Sequence, residues 1–233
     1  MKIRQGACCL GILLLLGTGA MADITVSIDG SAPWLGYMNV SNLPANGGAF
    51  QFGSGWGIPD LTASFADSIL TLGPNTINDP APYWYTPAGG PGAAGNKTMD
   101  ANLYVETTGV FVAENLTFTG VVLENTLVSP YTSVAFIKDF APDYSSFTMV
   151  TAPLVEGTFS ITLLTSSDPG RHIQYGFETI GPNVWITDVA DKGVVRLAPI
   201  PEPSSAVLAM VGILGLVRKR RAARISADLA VKS

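Results

Sequence analysis

Between residues 23 and 200 the chain alternates apolar and polar side chains with a period of two, which puts successive side chains on opposite faces of an extended strand. Thr158-Phe159-Ser160-Ile161-Thr162-Leu163 shows it most clearly, with large apolar groups on one face and hydroxyls on the other. Ile24, Val26 and Ile28 alternate with Thr25 and Ser27 in the same way. The pattern predicts further strands at 102–106, 110–113, 116–127, 132–140, 172–178, 183–187 and 194–197, many of them rich in β-branched and aromatic residues. Turn formers separate them: Asn46-Gly47-Gly48, Gly73-Pro74-Asn75, Asp168-Pro169-Gly170, Gly181-Pro182-Asn183 and Asp191-Lys192-Gly193. The body shows neither a helical period of 3.6 nor a fixed internal repeat. Short strands at this spacing predict an all-β fold, an antiparallel β-sandwich of jelly-roll type, with a closed barrel as the other arrangement the pattern permits. The stretch 86–99, rich in Gly, Ala and Pro, reads as a long surface loop.

The two ends break this pattern. Lys2 and Arg4 precede an apolar run over 7–17 and then Ala20-Met21-Ala22. That order is the signature of a secretory signal peptide, and the run is shorter than the roughly 20 residues of a permanent span. Cleavage by signal peptidase, which reads the small residues Ala20 and Ala22, is expected after Ala22. Both cysteines, Cys8 and Cys9, fall in the segment to be removed, so the exported chain has no disulfide and depends on its core. They stand at the start of the apolar run, which argues against a lipidated cysteine.

At the other end, residues 206–217 carry no charged or polar side chain, and Arg218-Lys219-Arg220-Arg221 follow. A core helix of a soluble domain keeps one wet stripe, and this run has none. Counted from Pro203, a helix here reaches about 22 Å against a hydrocarbon thickness of about 30 Å. Snorkelling arginines and local thinning close that gap. The basic cluster then holds the cytoplasmic side and leaves the body outside. The expected organisation is a signal peptide at 1–22, a β-sandwich at 23–198, a linker at 199–205, a transmembrane helix at 206–217 and a basic cytoplasmic tail at 218–233.

Pro201-Glu202-Pro203, the short apolar run and the Arg-rich cluster together resemble the PEP-CTERM sorting domain, from Pro199 onward. The resemblance implies recognition by an exosortase, a membrane-embedded transpeptidase of Gram-negative bacteria. Pro201, Glu202 and Pro203 would be the recognised motif, 206–217 the span, and Arg218, Lys219, Arg220 and Arg221 the stop. A transient anchor, followed by delivery to the cell surface or the extracellular matrix, is the implied localisation. Members of that family end soon after the basic cluster, whereas this chain continues to Ser233. Trp34-Leu35-Gly36-Tyr37-Met38-Asn39 and Gly53-Ser54-Gly55-Trp56-Gly57 also look like parts of β-sandwich modules in exported bacterial proteins. That likeness implies fold and location, and no activity.

Charge and composition narrow the chemistry. Residues 23–200 carry five basic residues against sixteen acidic ones, a net of −11, while 201–233 carry six against two, a net of +4. An acidic body lacks the footprint that phosphate backbones require, so nucleic acid is not an expected partner. One histidine, His172, and no cysteine in the exported chain leave little for nucleophilic or zinc chemistry. His172 is expected on the solvated face of its strand with Gln174 and Glu178. No cofactor is expected, although Asn75, Asn78, Asp79, Asn96, Asp100 and Asn102 offer oxygen donors for calcium without matching a calcium-loop pattern.

Tyr83-Trp84-Tyr85, with Trp34 and Trp56, are the candidate glycan-binding residues, placed by the pattern in an irregular N-terminal half. Rings of this kind stack on the C–H faces of sugars. The expected function is a non-catalytic envelope or matrix protein whose sandwich binds exopolysaccharide. One alternative is a secreted glycan hydrolase working through Asp and Glu, although no spacing singles out a pair and Glu106, Glu114, Glu124 and Glu156 lie near strand ends. The other is a structural or adhesive surface protein with protein partners.

Overall fold

The computed structural model describes residues 23–200. The expected signal peptide with Ala20 and Ala22, the motif Pro201-Glu202-Pro203, the span 206–217 and the basic residues Arg218, Lys219, Arg220 and Arg221 lie outside the described residues. In chain order the strands are β1 (Asp23–Ser27), β2 (Leu35–Asn42), β3 (Phe50–Trp56), β4 (Ala63–Ala66), β5 (Ile69–Leu72), β6 (Tyr85–Thr86), β7 (Ala94–Gly95), β8 (Lys97–Thr108), β9 (Asn115–Asn125), β10 (Thr132–Phe140), β11 (Phe147–Pro153), β12 (Gly157–Leu164), β13 (His172–Pro182) and β14 (Val195–Ala198).

They form two large sheets. One runs β1-β9-β14-β5-β4, with β12 also paired to β9, and the other runs β11-β10-β13-β8-β2-β3. Every pairing is antiparallel except β1 with β9. The described residues contain no α-helix, and none of their helices is long and apolar enough to cross a membrane. β1 lies along β9 at 115–119 and β14 along the same flank at 121–125, while β12 covers the opposite flank. The first and last strands of the body therefore lie end to end in one sheet.

The sheets bury their facing side chains against each other. From β9 come Leu116, Phe118 and Val122, from β12 Phe159 and Ile161, and from β13 Ile173, Tyr175 and Phe177, all buried. Phe118 sits at the centre, its ring centroid 5.3 Å from each of Phe159, Tyr175 and Phe177 at tilted or edge angles. Such angles are the favoured ones for aromatic pairs. The predicted alternation is thus what seals the sandwich: inward positions are apolar on both sheets.

Four expectations are corrected. Residues 110–113 are not a strand but the bend that carries the chain from β8 to β9, with positive φ at Gly109 and Ala113. Residues 183–187 follow the end of β13 at Pro182 and form one isolated parallel bridge, Thr76 to Val184, rather than a strand. The stretch 86–99 is not a single loop, since it holds part of the β6–β7 ribbon and the first residues of β8. The N-terminal half is not irregular, for it contains β2 to β5. Gly53 and Gly55 broke the apolar alternation of β3, and their positions have a use: they pair with Asn39 and Tyr37 of β2. A Cβ on Gly53 would stand 2.8 Å from the Tyr37 hydroxyl and 2.9 Å from Asn39 Oδ1.

Replacing Phe118 by Ala leaves a void among three other rings and should lower stability by about 3–5 kcal/mol. Urea unfolding followed by intrinsic fluorescence measures it, and a loss under about 1 kcal/mol would contradict this placement of the core.

Candidate functional site

The β11-β10-β13-β8-β2-β3 sheet has one face in the core and one outside, and the outer face carries a cluster of polar, charged and aromatic side chains. On β8, Met99, Ala101, Leu103 and Val105 turn inward, so Asp100, Asn102, Tyr104 and Glu106 turn outward. On β13 the inward Ile173, Tyr175 and Phe177 leave His172, Gln174 and Glu178 outside. Tyr37 and Asn39 on β2, Lys138 and Phe140 on β10, and Phe147 and Met149 on β11 extend the same face. Together with Tyr144 from the β10–β11 turn they line a groove of about 590 Å³. Gly176, in the middle of β13, pairs with both Tyr104 and Phe136, and a Cβ at that position would run into the Leu103 carbonyl of β8.

Two hydrogen-bonded chains cross the floor. In the first, Asn39 Nδ2 donates to Asp100 Oδ2 (3.2 Å), Asn102 Nδ2 donates to Asp100 Oδ1 (2.7 Å), and Lys138 Nζ donates to Asn102 Oδ1 (2.7 Å). Lys138 also lies 3.5 Å from Glu178 Oε1 and 4.0 Å above the Phe136 ring. A buried ammonium needs such partners to offset its lost hydration. In the second chain, Gln174 Nε2 donates to Glu106 Oε2 (2.6 Å) and the Tyr144 hydroxyl donates to Glu106 Oε1 (3.0 Å).

The electrostatics follow from these contacts. Burial first, and then the nearby Asp100, push the Glu178 carboxyl above its ordinary range, while Lys138 pulls it back down. Burial and its bond to Glu106 push the Tyr144 phenol up to about 12. Burial, with the Glu106 charge behind it, raises Tyr104 too. Among the described residues no cation lies within ion-pair distance of Asp100 or Glu106. Tyr37, Tyr144, Phe147 and Met149 are all well exposed around this polar floor.

His172 stands on the expected face with Gln174 and Glu178, but it is half-buried rather than freely solvated. Its ring stacks on Tyr144 at 4.3 Å and 5°, and its Nδ1 is 2.7 Å from the Thr108 hydroxyl.

The aromatic residues singled out from the sequence are not gathered at one place. Tyr85 is fully buried and donates its hydroxyl to the carbonyls of Ile77 and Val184, and Trp34 is buried and stacks on Phe177 at 6.2 Å. Neither ring can meet a sugar, because each fills the interior. Trp84 is half-buried with its edge toward Phe52. Trp56, half-buried, donates to Ser54 Oγ at 2.9 Å and borders a second, shallower depression with Ile186. Tyr83 alone of the consecutive three is exposed, and Lys97 Nζ lies 4.2 Å over its ring.

The oxygen donors considered for calcium are likewise scattered. Asp100 and Asn102 belong to the groove network, Asn75 is buried against the Asp60 carbonyl, and Asn96 donates weakly to the carbonyls of Pro82 and Tyr83. Asp79 Oδ1 caps the amide of Ala81. Among the described residues no three His, Cys, Asp or Glu side chains are grouped to hold a metal.

Tyr104, Tyr144, Phe147, Met149, Lys138 and Glu178 are what sequence reasoning missed. The signal was present in the outward row Asp100, Asn102, Tyr104, Glu106. It is unusually rich for a merely solvated strand face.

No family model matches the chain, nor does any curated protein or solved structure.

A carboxyl with a raised folded-state pKa contributes stability that is present below its ordinary value of 4.5 and is lost as pH rises through the folded value. The stability of the native chain relative to Glu178→Gln should therefore be greater at about pH 4 than at about pH 7 in urea unfolding. A difference that is independent of pH, or larger at pH 7, would contradict the raised value.

Proposed function

We propose that the chain is an exported envelope or matrix protein, sorted by a PEP-CTERM-type tail, whose sandwich binds polysaccharide in the groove on the outer face of the β11-β10-β13-β8-β2-β3 sheet. The observation that carries the binding part is the groove itself: five rings, from Tyr37, Tyr104, Phe140, Tyr144 and Phe147, surround a hydrogen-bonded polar floor. Aromatic faces supply area at low entropic cost, and fixed polar groups supply orientation, the combination that sugar recognition requires. A groove across several strands suits an extended polymer better than a compact ligand.

Strand order supports reading the sandwich as a jelly-roll variant, because the chain passes repeatedly between sheets: β1 to β2, β3 to β4, β8 to β9, β9 to β10, β11 to β12, β12 to β13 and β13 to β14. A cleaved signal helix at 1–22 and a short C-terminal span complete the proposal. Their support is the order of motifs in the sequence alone.

One observation favours a second reading, a hydrolase. Glu178, whose carboxyl is pushed above its ordinary range by burial and by the nearby Asp100, shares the groove with that second carboxyl, and two carboxyl groups flanking a bond are what glycoside hydrolysis uses. Lys138 at 3.5 Å opposes it by favouring ionised Glu178. Release of reducing ends from a glycan panel, abolished by Glu178→Gln, separates catalysis from binding.

In gels containing polysaccharide, the full chain in mild detergent should be retarded, and Tyr104→Ala or Phe147→Ala should weaken retention about tenfold, one ring contact being worth about 1 kcal/mol or more. Trp84→Ala should leave it unchanged. Retention lost only with Trp84→Ala would return the site to the loop, and no retention on any glycan would end the binding proposal.

For the tail, mass spectrometry of the surface form should find a C-terminus close to Pro201-Glu202-Pro203. Recovery of residues 206–233 on the mature surface protein would contradict processing.

A further inference from the structure

The groove does not treat all polysaccharides alike. Three carboxylates line it, Asp100, Glu106 and Glu178, against one ammonium, Lys138. That ammonium is already engaged by Asn102 Oδ1 and Glu178 within the protein. The amide groups repeat the bias. Asn39, Asn102 and Gln174 each direct an N–H at a carboxylate of the floor. Donors are thereby turned inward and acceptors left over. Gln174 and Asn39 both line the groove, and no described residue donates to Gln174 Oε1 or Asn39 Oδ1, which leaves both oxygens as acceptors for a ligand's donors.

A uronate or sulfated chain would bring further negative charge and further acceptors to this surface, and both are mismatched. A neutral polyol offers hydroxyl donors but no charge. An amine-bearing sugar offers both, since an ammonium group has three donors and no acceptor. Its charge also suits the electron-rich faces of Tyr37 and Tyr104. We infer that the ligand of this groove is a polysaccharide with free amino groups, a glucosamine-type polymer, and that Asp100 and Glu106 are the residues that select it. This rests on the polysaccharide-binding reading above and deepens it.

The test compares three defined oligomers on the full chain in mild detergent by titration calorimetry: a glucosamine hexamer, its N-acetylated counterpart and a galacturonate hexamer. The glucosamine hexamer should bind about tenfold or more tighter than the N-acetylated one, and its affinity should fall as salt is raised from about 50 to 500 mM. The galacturonate hexamer should bind weakest. Asp100→Asn and Glu106→Gln should each cut affinity for the glucosamine hexamer about tenfold and affinity for the N-acetylated hexamer by a clearly smaller factor, with near-UV circular dichroism confirming that each variant is folded; equal losses for the two oligomers would overturn the amine preference. Equal or tighter binding of the N-acetylated or galacturonate hexamer overturns the amine preference while the polysaccharide reading stands. Absence of binding by all three oligomers and by the polysaccharides in the retention gels overturns both. The salt dependence of the native chain decides the matter even if the variants fail to fold.

Discussion

The antiparallel register between β13 and β8, which sets Gln174 opposite Glu106, Phe177 opposite Leu103 and Glu178 opposite Asn102, is the constraint on which both faces of the large sheet depend. Because side chains alternate with a period of two, one register fixes inside and outside together. Slipping β13 by a single residue against β8 would carry Phe177 toward solvent and drive Gln174 and Glu178 toward the rings around Phe118. The aromatic cluster therefore does more than stabilise the core. By holding Phe177 inward it holds Gln174 and Glu178 outward, and the groove is a by-product of the same packing.

That coupling accounts for the polar floor's composition. A sheet face left merely to water needs only scattered solvated side chains, whereas here Asn39, Asp100, Asn102, Lys138 and Glu178 form one bonded chain across β2, β8, β10 and β13, and Gln174 and Glu106 form another. Each bond fixes a side chain before any ligand arrives, which reduces the ordering cost of association. The cost appears in Glu178, whose carboxyl is destabilised as an anion by burial and by Asp100. A groove with that electrostatic tension, ringed by exposed Tyr and Phe, differs from a surface shaped for solubility alone.

Most of the fold was legible in the sequence, because alternation and turn chemistry are local. The segments 116–127, 132–140 and 158–163 match β9, β10 and β12 within a few residues. β3 was not legible because Gly53 and Gly55 erase its pattern, and the use of Gly53, which admits the side chains of Tyr37 and Asn39, is visible only once β2 lies beside it. The site was less legible for the same reason. Tyr104, Lys138, Tyr144 and Glu178 are far apart in the chain, and only strand pairing brings them to one groove. Consecutive aromatics at 83–85 drew attention through their proximity in sequence, but successive positions point in different directions, and Tyr85 went to the core.

If polysaccharide occupies the outer face of the β11-β10-β13-β8-β2-β3 sheet, methionine methyl resonances report it directly. Met149 lines the groove at 47% exposure, while Met38 and Met99 are buried in the core. With methyl-labelled methionine, titration of a bound polysaccharide oligomer should shift the Met149 signal progressively and saturably and leave Met38 and Met99 in place. Saturable binding of the oligomer with the Met149 signal unmoved would contradict the account.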